Sequence, residues 1–284
     1  MPAEAATRTA ALIERFETKC VACIARAGPD EVHDVRVSIR RLDQGLRLFG
    51  EWVPEKVCGR IRGCIKPILR AAGAVRDCDI SRQLAGELGI RLRSHTRLEL
   101  QTRRGLATSY LRGNLKLVIG DELPSKWRAD LKLDGAVRDR HAQFVAVARD
   151  ILPDELEGFI ETGGKLAHHP KSKRALHEFR ISAKQLRYSL EPFADLYGPD
   201  LDAKIAAVRK VQTILGDLND RVASRRLFKE LGASSQITDA FRHAAEEKTE
   251  LFRTAWQELF GEPGTSREWV RFLARVPGPP SQVL

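Results

Sequence analysis

Residues 32–49 read VHDVRVSIRRLDQGLRLF, and residues 176–193 read LHEFRISAKQLRYSLEPF. Set against each other without a gap, His33 meets His177, Arg36 meets Arg180 and Ser38 meets Ser182, while Leu42, Leu46 and Phe49 meet Leu186, Leu190 and Phe193. A second pair of blocks, GAVRDCDISRQL at 73–84 and GDLNDRVASRRL at 216–227, shares Gly73/Gly216, Asp77/Asp220, Ser81/Ser224, Arg82/Arg225 and Leu84/Leu227. The two blocks lie at offsets of 144 and 143 residues. Separated blocks at nearly one offset identify a tandem duplication, and each half is expected to form one helical bundle.

Apolar residues recur at three- and four-residue spacing along nearly the whole chain, and no run alternates as a strand would, so the fold class is all-α. The periodicity predicts helices near 4–27, 31–52, 55–72, 79–88 and 92–118 in the first half. In the second half it predicts them near 133–151, 173–197, 200–215, 221–231 and 236–260, with a short one near 266–275. Gly28-Pro29-Asp30, Pro124-Ser125 and Gly198-Pro199-Asp200 supply the breaks. The repeated Gly-x-x-x-Asp reads as a helix stop and restart, with Gly73 and Gly216 as C-terminal caps and Asp77 and Asp220 as the next N-caps; the alternative is that the two Asp residues orient cations of the binding surface. Gly163-Gly164 and His168-His169-Pro170 mark 152–172 as a long connection, and Pro277-Gly278-Pro279-Pro280 opens a disordered tail over 278–284. The boundaries expected are a first repeat over 1–122 and a second over 126–277, together one domain.

At about 100° per residue, His33, Arg36, Arg40 and Arg47 fall within roughly a 60° stripe of one helix. Val35, Ile39, Leu42, Leu46 and Phe49 take the opposite face. His177, Arg180, Lys184 and Arg187 repeat the arrangement, backed by Phe179, Ala183, Leu186, Leu190 and Phe193. A solvated helix face ordinarily mixes signs, and nothing requires it to recur after duplication. A row of cations with one imidazole on a rigid helix suits phosphates spaced along a chain: Arg offers a planar fork, Lys a point charge, and His a directed hydrogen bond with a proton to gain. From Lys56 to Arg76 the next helix carries six cations, Lys56, Arg60, Arg62, Lys66, Arg70 and Arg76, and no acid. Lys66 matches Arg209 under the second offset, which makes that pair the leading candidate outside the first stripe.

Composition is consistent with such a partner. The 284 residues include 48 Lys and Arg against 38 Asp and Glu, a net charge of +10, with 43% hydrophobic residues. That excess points to a polyanion without choosing among nucleic acid, anionic lipid and polyphosphate. Glu4, Arg8, Glu14, Arg15 and Glu17 interrupt the apolar run a signal peptide needs, and no segment is apolar enough to span a bilayer. With five cysteines (Cys20, Cys23, Cys58, Cys64, Cys78), an odd number, a reduced cytoplasmic protein is expected. Cys20 and Cys23 have C-x-x-C spacing inside a helical pattern with no second pair at zinc spacing, and read as buried structural thiols.

The doubled His-x-x-Arg-x-x-x-(Arg/Lys) followed by Leu, with a later Gly-x-x-(Arg/Asn)-Asp, resembles the CHAD domain, the conserved histidine α-helical domain, over nearly the whole chain. The resemblance implies two pseudo-symmetric helical bundles around a basic central groove or pore that binds long-chain inorganic polyphosphate without catalysis, in the cytoplasm and at polyphosphate granules. It implies ligands His33, Arg36, Arg40 and Arg41 in the first half, and His177, Arg180, Lys184 and Arg187, with Tyr188 alongside, in the second. Asp43 stands where a cation is expected, and Gln185 stands opposite Arg41, so the half-sites are expected to be unequal. Members of the family often accompany a triphosphate-processing domain with a Glu-x-Glu-x-Lys strand. The nearest stretch here, Glu155-Leu156-Glu157-Gly158-Phe159, lacks the Lys.

Two rival readings share the charge. A nucleic-acid binder would interleave cations with stacking aromatics, but aromatics are 6% of this chain and the stripe offers only Tyr188. A polyphosphate-cleaving enzyme using His33 or His177 would need a metal site or nucleophile, and no P-loop, carboxylate cluster or nucleophile elbow is legible. The expectation is therefore a protein that is not an enzyme, without cofactor, metal or membrane partner.

Overall fold

The computed structural model describes residues 3–48, 54–131, 140–170 and 172–275. Every regular element among them is helical. They run α1 (Ala3–Ala25), α2 (Pro29–Leu48), α3 (Glu55–Glu87), α4 (Ser94–Gly120), α5 (Leu123–Asp130), α6 (Arg140–His168) and α7 (Lys173–Leu190). A 3₁₀ turn at Glu191–Phe193 follows, then α8 (Ala194–Tyr197), α9 (Pro199–Glu230), α10 (Ser235–Phe260) and α11 (Thr265–Ala274). None of the described helices is long and apolar enough to cross a membrane. The predicted disordered tail, the position of Phe49 and the expected helix start at 133 lie outside the described residues.

Three predicted breaks are absent. Gly73 and Gly216 sit inside α3 and α9, each one uninterrupted helix, so neither caps anything and Asp77 and Asp220 begin nothing. A mid-helix glycine costs about 1 kcal/mol. In α3 the inward row continues through it as Ile65, Ile68, Ala72, Val75 and Cys78, all buried, and packing along that row outweighs the local preference. The predicted connection over 152–172 is instead the second half of α6, which runs on to His168. Within that helix position 163 needs a glycine, because the Trp256 ring lies where a side chain would stand. In the other direction, the Pro124-Ser125 break opens a short helix, α5, with its proline in the first turn, where the missing N–H has no partner to lose.

The contacts divide into two compact units, one of residues 1–140 with 220–242, the other of 141–219 with 243–284. The first has an aliphatic core: Ile13, Val32, Val35, Ile39, Leu42, Leu46, Ile61, Ile65, Ile68, Leu111 and Leu115 pack together, with Phe16 stacked on Trp127 at 5.9 Å. Near its α3 end, Leu84 and Ala85 pack with Phe228 and Phe241, whose rings stack at 5.3 Å. Ser81 Oγ donates to Ser224 Oγ at 2.8 Å in the same buried region, joining residues that occupy one place in the repeat. Buried Asp79 accepts two hydrogen bonds from Arg104, at 2.6 and 3.0 Å, and Arg104 also donates to the Ala27 carbonyl, tying α3, α4 and the end of α1 together.

The second unit is built on rings. Phe159 lies 4.9 Å from Phe179 and 5.5 Å from Trp256, Trp256 lies 4.5 Å from Phe260, and Phe260 meets Trp269 edge-on at 5.0 Å. Ser172 caps α7, its hydroxyl accepting from the Ala175 amide.

All five cysteines are reduced, and Cys20 and Cys23 are fully buried, as the helical setting of the C-x-x-C predicts. Burial raises the Cys20 thiol, reinforced by Cys23 and Glu17, and pushes Cys23 up to about 11 against the weaker opposing pull of Arg112. Thiols that stay protonated are poor nucleophiles and poor metal ligands.

Candidate phosphate-chain site

The apolar face of α2 packs fully inward through Val35, Ile39, Leu42 and Leu46, which fixes where its other face points. His33 and Arg47 are exposed, and Arg36, Arg40 and Arg41 are half-buried. Arg36 reaches across to α3 and donates from Nη1 to the Leu69 carbonyl at 3.1 Å. A side chain at Gly73 would come within 2.9 Å of that nitrogen. The repeat glycine therefore makes room for a guanidinium rather than ending a helix.

Farther along the hairpin, Arg62 Nε binds Asp43 Oδ1 at 3.0 Å. The two cross-links, Arg36 to Leu69 and Asp43 to Arg62, fix α2 and α3 as antiparallel in one register. Arg40 lies four residues after Arg36 and three before Asp43; Lys66 lies three before Leu69 and four after Arg62. Both therefore fall between the cross-links, on facing helices, and Arg70 follows one turn beyond Lys66. Among the described residues Arg40, Lys66 and Arg70 have no ion-pair partner. Asp43 is exposed and holds Arg62, so the acid that interrupts the stripe neutralises a cation of α3. Arg41 lies about a quarter turn from the stripe, and Arg47 turns back to Gln44, with 3.4 Å between Nε and Oε1.

In the second hairpin the equivalents are more deeply seated. His177 is exposed, and its Nδ1 lies 2.6 Å from Asn219 Oδ1 on α9, which ties the ring to the facing helix. Arg180 is only 9% exposed, and Lys184 is half-buried. Arg187 lies over the buried Tyr188 ring with its guanidinium carbon 4.5 Å from the centroid. Its Nη1 is 3.4 Å from Glu191 Oε1, and Arg209 Nη2 of α9 is 3.8 Å from the same oxygen. Two arginines thus converge on one carboxylate oxygen. The buried Nε of Arg187 has no hydrogen-bond partner.

The structure brings Arg187, Tyr188 and Arg209 together, places His177 and Arg180 on the same helix, and frames Arg40 with Lys66. Arg41 lies off the stripe, whereas Arg47 lies on it one turn beyond Asp43, turned toward Gln44. Residues that sequence reasoning missed as organisers are Asn219, Glu191 and the Leu69 carbonyl. Asn219 was legible only as the partner of Arg76 under the second offset. Among the described residues no group of three or more His, Cys, Asp or Glu could hold a metal ion.

Comparison with known proteins returns a family and a fold. Residues 10–229 match the CHAD domain. A solved structure, that of the CHAD domain from the plant Ricinus communis, superposes with a TM-score of 0.62 at 23% identity, covering 98% of this chain and 93% of that one, and at this identity the likeness is one of fold. No curated protein matches the chain.

Proposed function

The chain belongs to the CHAD-domain family, and from that premise we propose that it binds long-chain inorganic polyphosphate without cleaving it. The observation that carries the reading is the duplicated cation row, held on two helices whose opposite faces are fully packed. A chain of phosphates presents negative oxygens at short, regular intervals. Arg40 with Lys66, and Arg187 with Arg209, are cations gathered across helix hairpins, where one strand of such a polyanion could touch both helices at once. His33 and His177 open each row, where an imidazole can give a phosphate oxygen a directed hydrogen bond.

The further expectations of the resemblance belong to this proposal. They are a pseudo-symmetric pair of bundles within one domain, a groove that gathers both rows onto one polyphosphate chain, and association with polyphosphate granules. The repeat-equivalent pair Ser81 and Ser224, bonded to each other, supports the pseudo-symmetry. The ligands proposed are His33, Arg36, Arg40, Lys66 and Arg70 with His177, Arg180, Lys184, Arg187 and Arg209. Tyr188 serves as the platform under Arg187, and Arg41 and Arg47 extend the first row.

The test is a titration with long-chain polyphosphate at several salt concentrations, with orthophosphate and single-stranded DNA as competitors. Log affinity should fall linearly with log salt as counterions are released. Orthophosphate should compete poorly, because one phosphate satisfies a small part of an extended row, and DNA should displace little. Salt-independent binding, equal affinity for orthophosphate, or phosphate release with magnesium or manganese would each defeat the reading.

A further inference from the structure

α4 has an outward face that nothing in the polyphosphate reading uses. Eight large hydrophobic side chains are exposed among the described residues, and four of them, Leu98, Leu106, Tyr110 and Leu117, lie on this one helix. Leu106 is 70% exposed, Tyr110 62% and Leu117 66%, while Leu100, Leu111, Leu115 and Val118 of the same helix are buried in the first unit. Leu106, Tyr110, Gly113 and Leu117 follow steps of four, three and four residues, the spacing of a helix–helix seam. Exposed apolar rows of this kind mark interaction sites.

The glycines carry a second, separate clue. α4 contains Gly105, Gly113 and Gly120, and a side chain added at any of them would meet nothing within 4 Å. Of the three, Gly113 lies inside the row of Leu106, Tyr110 and Leu117, where it leaves a notch that a large side chain of another surface can enter.

We propose that this face pairs with the same face of a second copy of the chain, α4 antiparallel to α4. A twofold axis between Tyr110 and Gly113 sets Leu106 against Leu117 of the second copy and Tyr110 against Gly113 of the second copy, so a large side chain meets a small one at each central position. Parallel pairing would instead oppose Tyr110 to Tyr110 and leave the glycines facing each other across a gap. Charge favours the same register. The axis brings Arg103, whose Nη1 lies 3.0 Å from Glu230 of its own chain and which is about half exposed, beside Gly120 of the second copy, where α4 ends and Asp121 and Glu122 follow. A cation there meets two carboxylates and the negative end of the helix dipole. Parallel alignment would stack Arg103 on Arg103.

Sedimentation velocity over a concentration series of the full chain tests this. The mass should rise from monomer to dimer with concentration. Leu106→Glu with Leu117→Glu should remain monomeric at the highest concentration reached while keeping wild-type helicity, because both side chains already face solvent. Gly113→Leu should raise the dissociation constant at least tenfold, and adding Tyr110→Ala to it should restore most of the dimer, because the large and small partners are then exchanged. A wild type that stays monomeric throughout overturns the proposal. So does a Leu106→Glu, Leu117→Glu variant that dimerises unchanged. Wild-type monomers that co-sediment with anionic phospholipid vesicles would assign the face to a membrane surface and likewise overturn self-pairing.

Discussion

The α2–α3 hairpin and the α7–α9 hairpin carry stretches of sequence that align without a gap, yet they balance their charges in opposite senses. At matched positions the first has Asp43 and Arg47 where the second has Arg187 and Glu191. The acid and the base have exchanged places, four residues apart in each case. In the first hairpin the acid reaches across to Arg62, while in the second it gathers both Arg187 and Arg209. The buried interior differs as well. Asp79 in α3 makes a buried pair with Arg104, and its repeat counterpart is Val222. The cationic row and the helical frame are common to both hairpins, whereas the groups that neutralise and anchor that row differ between them.

The sharpest way to break the comparison is to reverse charges in one hairpin at a time. Arg36→Glu with Arg40→Glu, and separately Arg180→Glu with Lys184→Glu, should each weaken long-chain polyphosphate binding by roughly a hundredfold or more, since every cation near a polyanion is worth about 1 kcal/mol. Helicity by circular dichroism separates loss of binding from loss of fold, which matters most for the buried Arg180. If either pair leaves near-native affinity at half the capacity, the hairpins act as independent sites.

Next in size is the buried ion pair. Arg104→Met should destabilise the protein by about 3–5 kcal/mol in urea unfolding, because it strands the Asp79 carboxylate. Adding Asp79→Val, the residue type already present at position 222, should recover most of that loss. A double variant as unstable as the single would mean that the geometry of α3 against α4 depends on the charges themselves.

Smaller effects sharpen the difference in counter-ions. Glu191→Gln should tighten polyphosphate binding several-fold, because it releases two arginines, and Asp43→Asn should do so less, because it releases one that is already exposed. Equal effects would deny Glu191 its double role. Smallest is a pair of glycine replacements. Gly216→Ala meets open space and should stabilise by about 0.5–1 kcal/mol, whereas Gly73→Ala crowds the Arg36 guanidinium and should gain less and weaken binding slightly. Thermal melts and isotherms of the two variants decide it.

The helical class and the inward faces of α2 and α7 were legible because helix periodicity is a local signal repeated many times. The interruptions were not. Gly73, Gly216 and Gly163 carry the same local signal whether they end a helix or admit a neighbouring side chain, and that neighbour, such as Arg36 or Trp256, comes from elsewhere in the chain. For the candidate site, the cations could be read as rows, since spacing on one helix needs no partner. Which cations face one another depends on hairpin register, which only cross-links such as Arg36 to Leu69 reveal. Glu191 was visible as an acid within the row. Its hold on Arg209 was not, because that contact joins residues eighteen positions apart on different helices.

The small cluster of Leu84, Ala85, Phe228 and Phe241 has a consequence for how the chain is made. On a ribosome, α1 to α5 are complete well before Phe228 has been added, so the far end of α3 must wait without the rings that will cover it. A unit whose last pieces arrive late closes through long-range contacts, the slow kind. A nascent chain halted anywhere between 131 and 227 is therefore an incomplete protein rather than a finished first half, and such intermediates are what a chaperone would meet.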